Sequence, residues 1–349
     1  MKKLLLPLLS VAMIALVLIF PDRAMGYVRS SLNICFDTIV PTLFPFFVCS
    51  GILIYSGFCS LISRAFRFCM RPLFGVSEAG AAAFVLGIIS GYPLGAVTAG
   101  QLYEGGYITK TEAERLCAFC SNSGPLFVIG SVGAALYGSV KLGLVLYGAH
   151  ILAAITVGMI FRFYKRKSYI APPTVMTAPE RNTGEIISEA MSGAVRNMLS
   201  VCGAVVFFGM AGRLLLDIIP VSGAFYALAA GAVEFVNGAV STAALNIDTG
   251  AKLVMTAFIV GFAGLSVHAQ TAAVVARYGF SLVPYFIGKL LHALVAAAYT
   301  AVAVRFITVT EPAFAPSVGG GFCVSSVIML GAAGAAVLAG AAWRLVVKR

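Results

Sequence analysis

Charged side chains are scarce in this sequence. Asp, Glu, Lys and Arg make up 11% of the 349 residues and only 13 residues are acidic, whereas 60% of all residues are hydrophobic. The mean hydropathy is +0.98, and several windows reach the ~20 apolar residues that a bilayer-spanning helix needs. No segment has the charged, patterned composition of a sizeable soluble domain. The sequence therefore predicts an all-α polytopic membrane protein with one membrane domain.

The motifs of common catalytic sites are absent as well. There is no H-E-x-x-H, no phosphate-binding G-x-x-x-x-G-K-[ST] and no G-x-S-x-G. The C-x-x-C of Cys117 and Cys120 has no second pair at metal-ligand spacing. We therefore predict no enzyme activity, no cofactor and no metal, with an intramembrane enzyme that uses Glu112, Glu114 or His268 as the alternative. The lack of a nucleotide-binding motif favours a gradient-driven carrier or a passive channel.

The net charge of +11 comes from short basic clusters beside apolar spans, such as Arg162, Lys165, Arg166 and Lys167. Clusters of this kind are typical of the cytoplasmic ends of membrane spans. We therefore expect membrane lipids as partners and no nucleic acid. The basic amphipathic stretch over residues 64–71 fits an anchor at the cytoplasmic surface.

The apolar stretch over residues 116–136 is interrupted by Ser121-Asn122-Ser123-Gly124-Pro125. Gly and Pro break the helical hydrogen-bond ladder, and lipid supplies no water to replace the lost bonds. The break is therefore expected to face protein or a wet cavity. Broken helices often bind solute and coupling ion in transporters, because their ends present unpaired N–H and C=O groups.

Residues 79–103 are apolar but split at Ser90-Gly91-Tyr92-Pro93-Leu94-Gly95. Each arm is about 10 residues, or about 15 Å of helix, which is half a bilayer. This length predicts a re-entrant helical hairpin with Gly, Pro and two hydroxyl groups at its tip. A kinked full span is the alternative.

The second half of the chain repeats this organisation. Residues 224–245 contain a second hairpin tip at Glu234-Phe235-Val236-Asn237-Gly238, and a second interruption is expected over residues 261–270. Further matches follow in the same order, namely Tyr137-Gly138 with Tyr278-Gly279 and His150 with His292. The ordered matches indicate an internal duplication.

We divide the chain into five segments: a leading transmembrane helix (1–26), a first repeat (27–167), a cytoplasmic linker (168–184), a second repeat (185–308) and a final transmembrane helix (322–349). A cleaved signal peptide is the alternative for the leading helix. Placing the basic clusters in the cytoplasm gives eight spans and two hairpins that enter from opposite sides, so the repeats are inverted. Transporters with inverted repeats bind solute between the copies. Arg213 and Arg305 fit less well, because both fall near the outer face.

Three motifs carry a family resemblance that spans roughly residues 28–300. They are Ser90-Gly91-Tyr92-Pro93-Leu94-Gly95-Ala96, Glu112-Ala113-Glu114-Arg115-Leu116 running into Ser121-Asn122-Ser123-Gly124-Pro125-Leu126-Phe127, and Gly264-Leu265-Ser266-Val267-His268-Ala269-Gln270. With them the chain resembles the YlbJ-type sporulation integral membrane proteins of the nucleoside-recognition (Gate) domain superfamily. Val97 departs from the family pattern, in which a basic residue often follows Gly95-Ala96.

The resemblance implies a hairpin-and-broken-helix layout similar to that of concentrative nucleoside transporters. It also implies a role in endospore formation, with transport of the small anion dipicolinate across the mother-cell-derived membrane around the forespore. A carrier of nucleosides or other small metabolites, and a non-transporting scaffold needed for sporulation, are the alternatives.

The candidate substrate-binding residues come from the hairpin tips and the interruptions: Ser90, Gly91, Tyr92, Ser121, Asn122, Ser123, Gly124, Asn237, Ser266, His268 and Gln270. Their hydroxyls, amides and backbone N–H groups suit a carboxylate. Glu234 is the candidate for binding a coupling cation or proton, because an intramembrane carboxylate is costly. A structural pair with Lys252 or Arg277 is its alternative. The polar side chains have bonds between helices as their alternative, which we favour for His150 and His292.

Overall fold

The computed structural model describes residues 2–166 and 182–307. These residues form fourteen α-helices and three π-helical segments, without a strand. The α-helices are α1 (Lys2–Ile19), α2 (Pro21–Ile34), α3 (Val40–Tyr55), α4 (Phe58–Cys69), α5 (Gly80–Ser90), α6 (Leu94–Glu104), α7 (Lys110–Phe119), α8 (Val140–Phe161), α9 (Thr183–Ile218), α10 (Gly223–Val233), α11 (Phe235–Ala243), α12 (Thr249–Phe262), α13 (Gly264–Arg277) and α14 (Leu282–Ala303). The π-helical segments are Cys35–Ile39, Met70–Phe74 and Leu126–Leu136. Residues 168–181 of the predicted linker and the predicted final helix lie outside the described residues.

Four helical stretches of the described part are long and apolar enough to cross a membrane: Val140–Phe161, Thr183–Ile218, Thr249–Arg277 and Leu282–Ala303. Two bent pairs of helices bring the number to six if each pair is counted as one span. In these pairs α1 meets α2 at 103° and α3 meets α4 at 85°. The second predicted repeat begins with one continuous 36-residue helix, α9. The prediction of an all-α, multi-pass membrane protein is confirmed. The count of eight spans and the inverted orientation of the halves stay predictions.

Both predicted hairpins are pairs of helices that fold back on each other, α5 on α6 and α10 on α11. Glycines face each other across the arms, Gly87 against Gly95 in the first hairpin and Gly231 against Gly238 in the second. Side chains at these positions would push the arms apart, because packed interiors leave no spare volume. The alternative of a kinked full span over residues 79–103 is therefore wrong.

Each hairpin also packs on the interruption in its own half. A Cβ atom at Gly87 or Gly95 would overlap the Cys120 carbonyl oxygen at the start of the first break. In the second half, a Cβ atom at Gly264 would lie 2.9 Å from the Gly231 carbonyl oxygen. Glycine thus allows the backbone of each hairpin to touch the backbone of each break.

The two breaks differ in length. The first is wide, since α7 ends at Phe119, residues 121–124 are not helical, and a π-helical segment starts at Leu126. The second is confined to Ala263 and Gly264, whose φ angles are 75° and 71°. The interruption expected over residues 261–270 is therefore too long. That segment contains no proline, so Ser266, His268 and Gln270 stay helical within α13.

A polar cluster at the start of α7, which we call the α7 foot, consists of Glu112, Glu114 and Arg115. Glu112 closes a capping box with Thr109 and accepts a bond from the Ser77 N–H (2.6 Å). Glu114 accepts hydrogen bonds from the Ser281 N–H and Lys165 Nζ (each 2.9 Å) and from the Tyr164 hydroxyl. Arg115 donates to the carbonyl oxygens of Gly75, Tyr164 and Lys165. The foot thus joins α7 to the segments that precede α5, follow α8 and precede α14. Because both carboxylates hold backbone groups, they act as structural residues.

Candidate functional site

The tips of the two hairpins meet inside the molecule. The Tyr92 hydroxyl of the first tip donates a hydrogen bond to the Val260 carbonyl oxygen near the end of α12 (2.6 Å). The Tyr92 ring makes a T-shaped contact with the Phe235 ring of the second tip, with centroids 5.5 Å apart. Phe127, just after the first break, makes a similar contact with Phe235 at 5.1 Å. Aromatic contacts therefore join both tips and the first break.

Two different helices hold the first break. Lys289 Nζ of α14 donates a hydrogen bond to the Ser121 carbonyl oxygen (2.9 Å), at the beginning of the break. His150 Nε2 of α8 accepts a hydrogen bond from the Ser123 N–H (3.0 Å), near its end. Between them, Asn122 Nδ2 donates to the Phe119 carbonyl oxygen (2.9 Å). The unwound backbone is thus fixed from two sides.

Lys289 is a candidate functional residue that the sequence reasoning missed. Its side chain is 1% exposed, and the ammonium group lies 5.0 Å from the centroid of the Tyr92 ring. No carboxylate in the described ranges forms an ion pair with it. Glycine at 288 lets α14 approach α7 here, because a Cβ atom would overlap the Ala118 carbonyl oxygen. A lone lysine within an apolar span was the available signal.

Several buried polar atoms around the two breaks have no hydrogen-bond partner among residues 2–166 and 182–307. They are Ser121 Oγ, Asn122 Oδ1, Ser266 Oγ, His268 Nε2, Gln270 Oε1 and both ring nitrogens of His292. An unpaired buried polar atom costs about 1–3 kcal/mol. A group of such atoms therefore marks a place where a ligand can supply the missing bonds.

A small cavity of about 30 Å³ lies between the hairpin tips and the first break. It is lined by six of the eleven predicted substrate residues, namely Ser90, Gly91, Tyr92, Ser123, Gly124 and Gln270. The other five, Ser121, Asn122, Asn237, Ser266 and His268, do not belong to its lining. This volume holds about two water molecules. The described residues therefore leave no room between the tips and the first break for a solute larger than a few water molecules.

Glu234 caps α11 at the second hairpin tip. Its carboxylate accepts hydrogen bonds from the N–H groups of Val236 (3.2 Å) and Asn237 (2.8 Å) and from the Asn237 side-chain amide (2.9 Å). The side-chain oxygen Oδ1 of Asn237 accepts a bond from Arg213, which also donates to the Ser30 hydroxyl on α2 (3.1 Å). A network anchored by Arg213 therefore holds the tip, with Asn237 as its bridge.

The alternative partners predicted for Glu234 are bound elsewhere. Lys252 Nζ donates to the Ala243 carbonyl oxygen (3.1 Å), and Arg277 pairs with Glu104 (3.9 Å). The predicted structural pair with Lys252 or Arg277 is therefore wrong. Arg213 instead reaches Glu234 through Asn237, and sequence spacing alone does not show that α9 passes the second tip.

Residues 36–143 match the family model described as nucleoside recognition (Gate). This region contains the first hairpin, the α7 foot and the first break. The chain is also similar to the "Sporulation integral membrane protein YlbJ" of Bacillus subtilis (strain 168), with 29% identity over 320 residues. The alignment covers 82% of this chain and 78% of the relative. No solved structure matches the chain. The predicted resemblance to YlbJ-type sporulation integral membrane proteins, with a Gate region over residues 36–143, is thus confirmed.

Proposed function

We propose that this protein transports a small anionic solute across the membrane, and that dipicolinate is the solute. The comparisons support the coarser statement that it is a multi-pass membrane protein related to a sporulation protein. The observation that carries the finer proposal is the buried Lys289 ammonium group at the first break.

A buried ammonium group is costly unless it is paired with an anion. The described neighbours of Lys289 include the Ser121 carbonyl oxygen and the Tyr92 ring, and no described carboxylate forms an ion pair with it. A carboxylate of the solute would supply the missing charge. The site therefore favours anions over neutral or cationic solutes.

Dipicolinate is a planar aromatic ring with two carboxylates. One carboxylate fits the Lys289 ammonium group, while the N–H groups at the first break suit the other. Tyr92 offers a ring face next to the same ammonium group. Because the closed cavity holds only about two water molecules, binding requires that the hairpin tips separate from the break, as alternating access demands.

The contacts of the two halves support the proposed inverted repeat. Each hairpin packs on its own break through glycines. The equivalent residues His150 and His292 face each other, with ring centroids 4.3 Å apart. Equivalent residues meet in this way when they lie beside a pseudo-twofold axis. The solute site would then lie between the halves.

A nucleoside carrier is the second candidate, because the family model that matches residues 36–143 is described as nucleoside recognition. The unpartnered amide oxygens of Asn122 and Gln270 suit the polar edges of a nucleoside. Lys289, by contrast, offers a nucleoside no counter-charge.

Uptake by sealed proteoliposomes tests these alternatives, with radiolabelled dipicolinate, a nucleoside and simple carboxylates as solutes. We expect saturable dipicolinate uptake that falls at least about tenfold in Lys289→Met. Lys252→Met is the matched control, since the Lys252 ammonium group donates to the Ala243 carbonyl oxygen and not to the first break, and it should retain uptake. Nucleoside uptake without dipicolinate uptake would support the second candidate. Absence of any uptake by folded wild-type protein would favour a scaffold and contradict transport.

A further inference from the structure

Two buried histidines adjoin the first break, and the proposed solute site does not use them. His150 is 2% exposed and His292 is fully buried. Neither ring nitrogen of His292 has a hydrogen-bond partner within the described residues. A cavity of about 10 Å³ beside His150, which has room for about one water molecule, is lined by Thr256 and Val260 among others. His292 therefore has a proton-accepting nitrogen without a partner, in a confined space next to His150.

The hydrogen bond between His150 and the break fixes the state of the ring. Because Nε2 accepts the Ser123 N–H, it carries no proton, and in the neutral ring the proton lies on Nδ1. A second proton would convert Nε2 into a donor. The imidazolium cannot accept from the Ser123 N–H, so this bond to the break would be lost.

We propose that His150 and His292 form a proton-binding pair whose protonation releases the first break and couples proton movement to the solute. The release of the break depends only on the hydrogen bond between the Ser123 N–H and His150 Nε2. The coupling to an anionic solute rests on the proposed function.

Lys289 provides the physical link between solute and proton. It lies one turn before His292 on the same face of α14, and the His292 ring packs on the His150 ring. Like charges repel, so the ammonium group opposes protonation of the pair. A bound anion neutralises this charge and favours protonation, and by linkage a bound proton favours the anion. Proton and anion therefore move in the same direction.

The carboxylates on the described elements that pack against α8 are Glu112 and Glu114 of the α7 foot, and both are bonded to backbone N–H groups of other segments. The other titratable side chains on these elements are Lys289, His292, Tyr285 and Tyr299 of α14, Lys110, Arg115 and Cys117 of α7, Lys252 of α12 and Arg71 of the second π-helical segment. The π-helical segment Leu126–Leu136 has no ionisable residue. Among these groups, the histidine pair is the proposed proton site.

Hydrogen exchange at the Ser123 amide tests the release of the break without any transport assay. Protection, corrected for the intrinsic exchange rate, is measured between pH 5.5 and 8 in purified protein. We expect wild-type protection to fall at least about tenfold on acidification. In His150→Gln protection should not depend on pH, because the Gln oxygen accepts the same bond and does not titrate. Equal protection at all pH values in wild type, or the same fall in His150→Gln, would overturn the proposal.

The coupling is tested in proteoliposomes with an imposed inward proton gradient. We expect the ratio of dipicolinate uptake with and without the gradient to be several-fold in wild type and about one in His150→Gln and His292→Phe. An unchanged ratio in both variants would overturn the coupling and leave anion transport standing. If wild type moves no anion at all, the proposed function fails and the coupling with it, while the exchange experiment still decides whether the pair releases the break.

Discussion

The α7 foot and the first break are neighbours along the chain, yet their buried polar groups are treated in opposite ways. At the foot, Glu112, Glu114 and Arg115 all have hydrogen-bond partners on other segments. At the break, Ser121 Oγ and Asn122 Oδ1 have none within the described part of the chain. The side chains of the α7 foot are thus all hydrogen-bonded, whereas the described part of the first break keeps buried polar atoms without a partner.

This difference separates structural roles from binding roles. Fully paired polar networks make a structure rigid, whereas unpaired buried atoms lower its stability. Substitutions at the foot should therefore remove folded protein. Substitutions at the break should remove transport and leave the folded state intact. The predictions below test this contrast in order of decreasing effect on stability.

Arg115→Met is expected to have the largest effect. The guanidinium group donates to the carbonyl oxygens of Gly75, Tyr164 and Lys165. Its loss leaves the buried Gly75 acceptor unpaired, at a cost of about 1–3 kcal/mol, and removes the bonds to the two partly buried acceptors as well. Little folded protein should remain, as measured by size-exclusion chromatography in detergent and by thermal unfolding. Lys110→Met, at an exposed position of the same helix, is the control. A normal yield of stable Arg115→Met protein would show that the foot is not a structural cluster.

Gly95→Ala should have the next largest effect, because the added Cβ atom overlaps the Cys120 carbonyl oxygen. Overpacking of this kind costs about 1–3 kcal/mol. The measurement is the melting temperature, with Gly148→Ala as control, since a Cβ atom at that position meets nothing within 4 Å. Gly148→Ala should be neutral or slightly stabilising. Equal melting temperatures for the two variants would contradict the close contact of hairpin and break.

The hairpins and the first break were predictable because their signals are local. Gly and Pro within an apolar run interrupt a helix whatever lies around it. The length of the second break was overestimated, because its prediction relied on polar residues in a segment that has no proline. Polar residues such as Ser266 and His268 resemble a break, but without proline nothing forces the backbone to unwind. Polarity alone therefore marked Ser266 and His268 as candidate residues, but it did not predict that they stay helical.

The partners across the fold were not predictable. Lys289 binds Ser121, and Arg213 reaches the second tip through Asn237. These contacts depend on which helices pack together, which neither hydrophobic periodicity nor spacing reveals. A lone lysine in an apolar span is nevertheless a local signal, and it could have marked Lys289 as a candidate without knowledge of its partner.

Asn122→Leu tests the break side of the contrast. The change removes one hydrogen bond, worth about 0.5–1.5 kcal/mol, and also removes the unpaired Oδ1 atom, so the two effects largely cancel. We expect a melting temperature close to that of wild type, with dipicolinate uptake at least about tenfold lower. Asn33→Leu, on the exposed side of α2, controls for the added apolar surface. Normal uptake by Asn122→Leu would remove Asn122 from the site.

Lys165→Met should have the smallest effect, although Lys165 belongs to the surroundings of the foot. Its side chain is 47% exposed, and Glu114 keeps its bonds from the Ser281 N–H and the Tyr164 hydroxyl. We expect a loss of at most about 1 kcal/mol, as for an exposed ion pair, in thermal unfolding at pH 7. Lys141→Met, at another exposed position, is the control.

The pH dependence of the Lys165 contribution has a defined sign. The hydrogen bond with Glu114 raises the pKa of Lys165 above its usual value. The stabilisation is therefore fully present below the pKa of the unfolded state, about 10.4, and is lost as the pH rises through the higher folded value. The difference in melting temperature between wild type and Lys165→Met should stay constant from pH 7 to about 10 and shrink above it. A difference that already disappears near pH 8 would contradict the raised pKa of Lys165. One as large as that of Arg115→Met would show that the ion pair at the edge of the foot matters as much as its buried core.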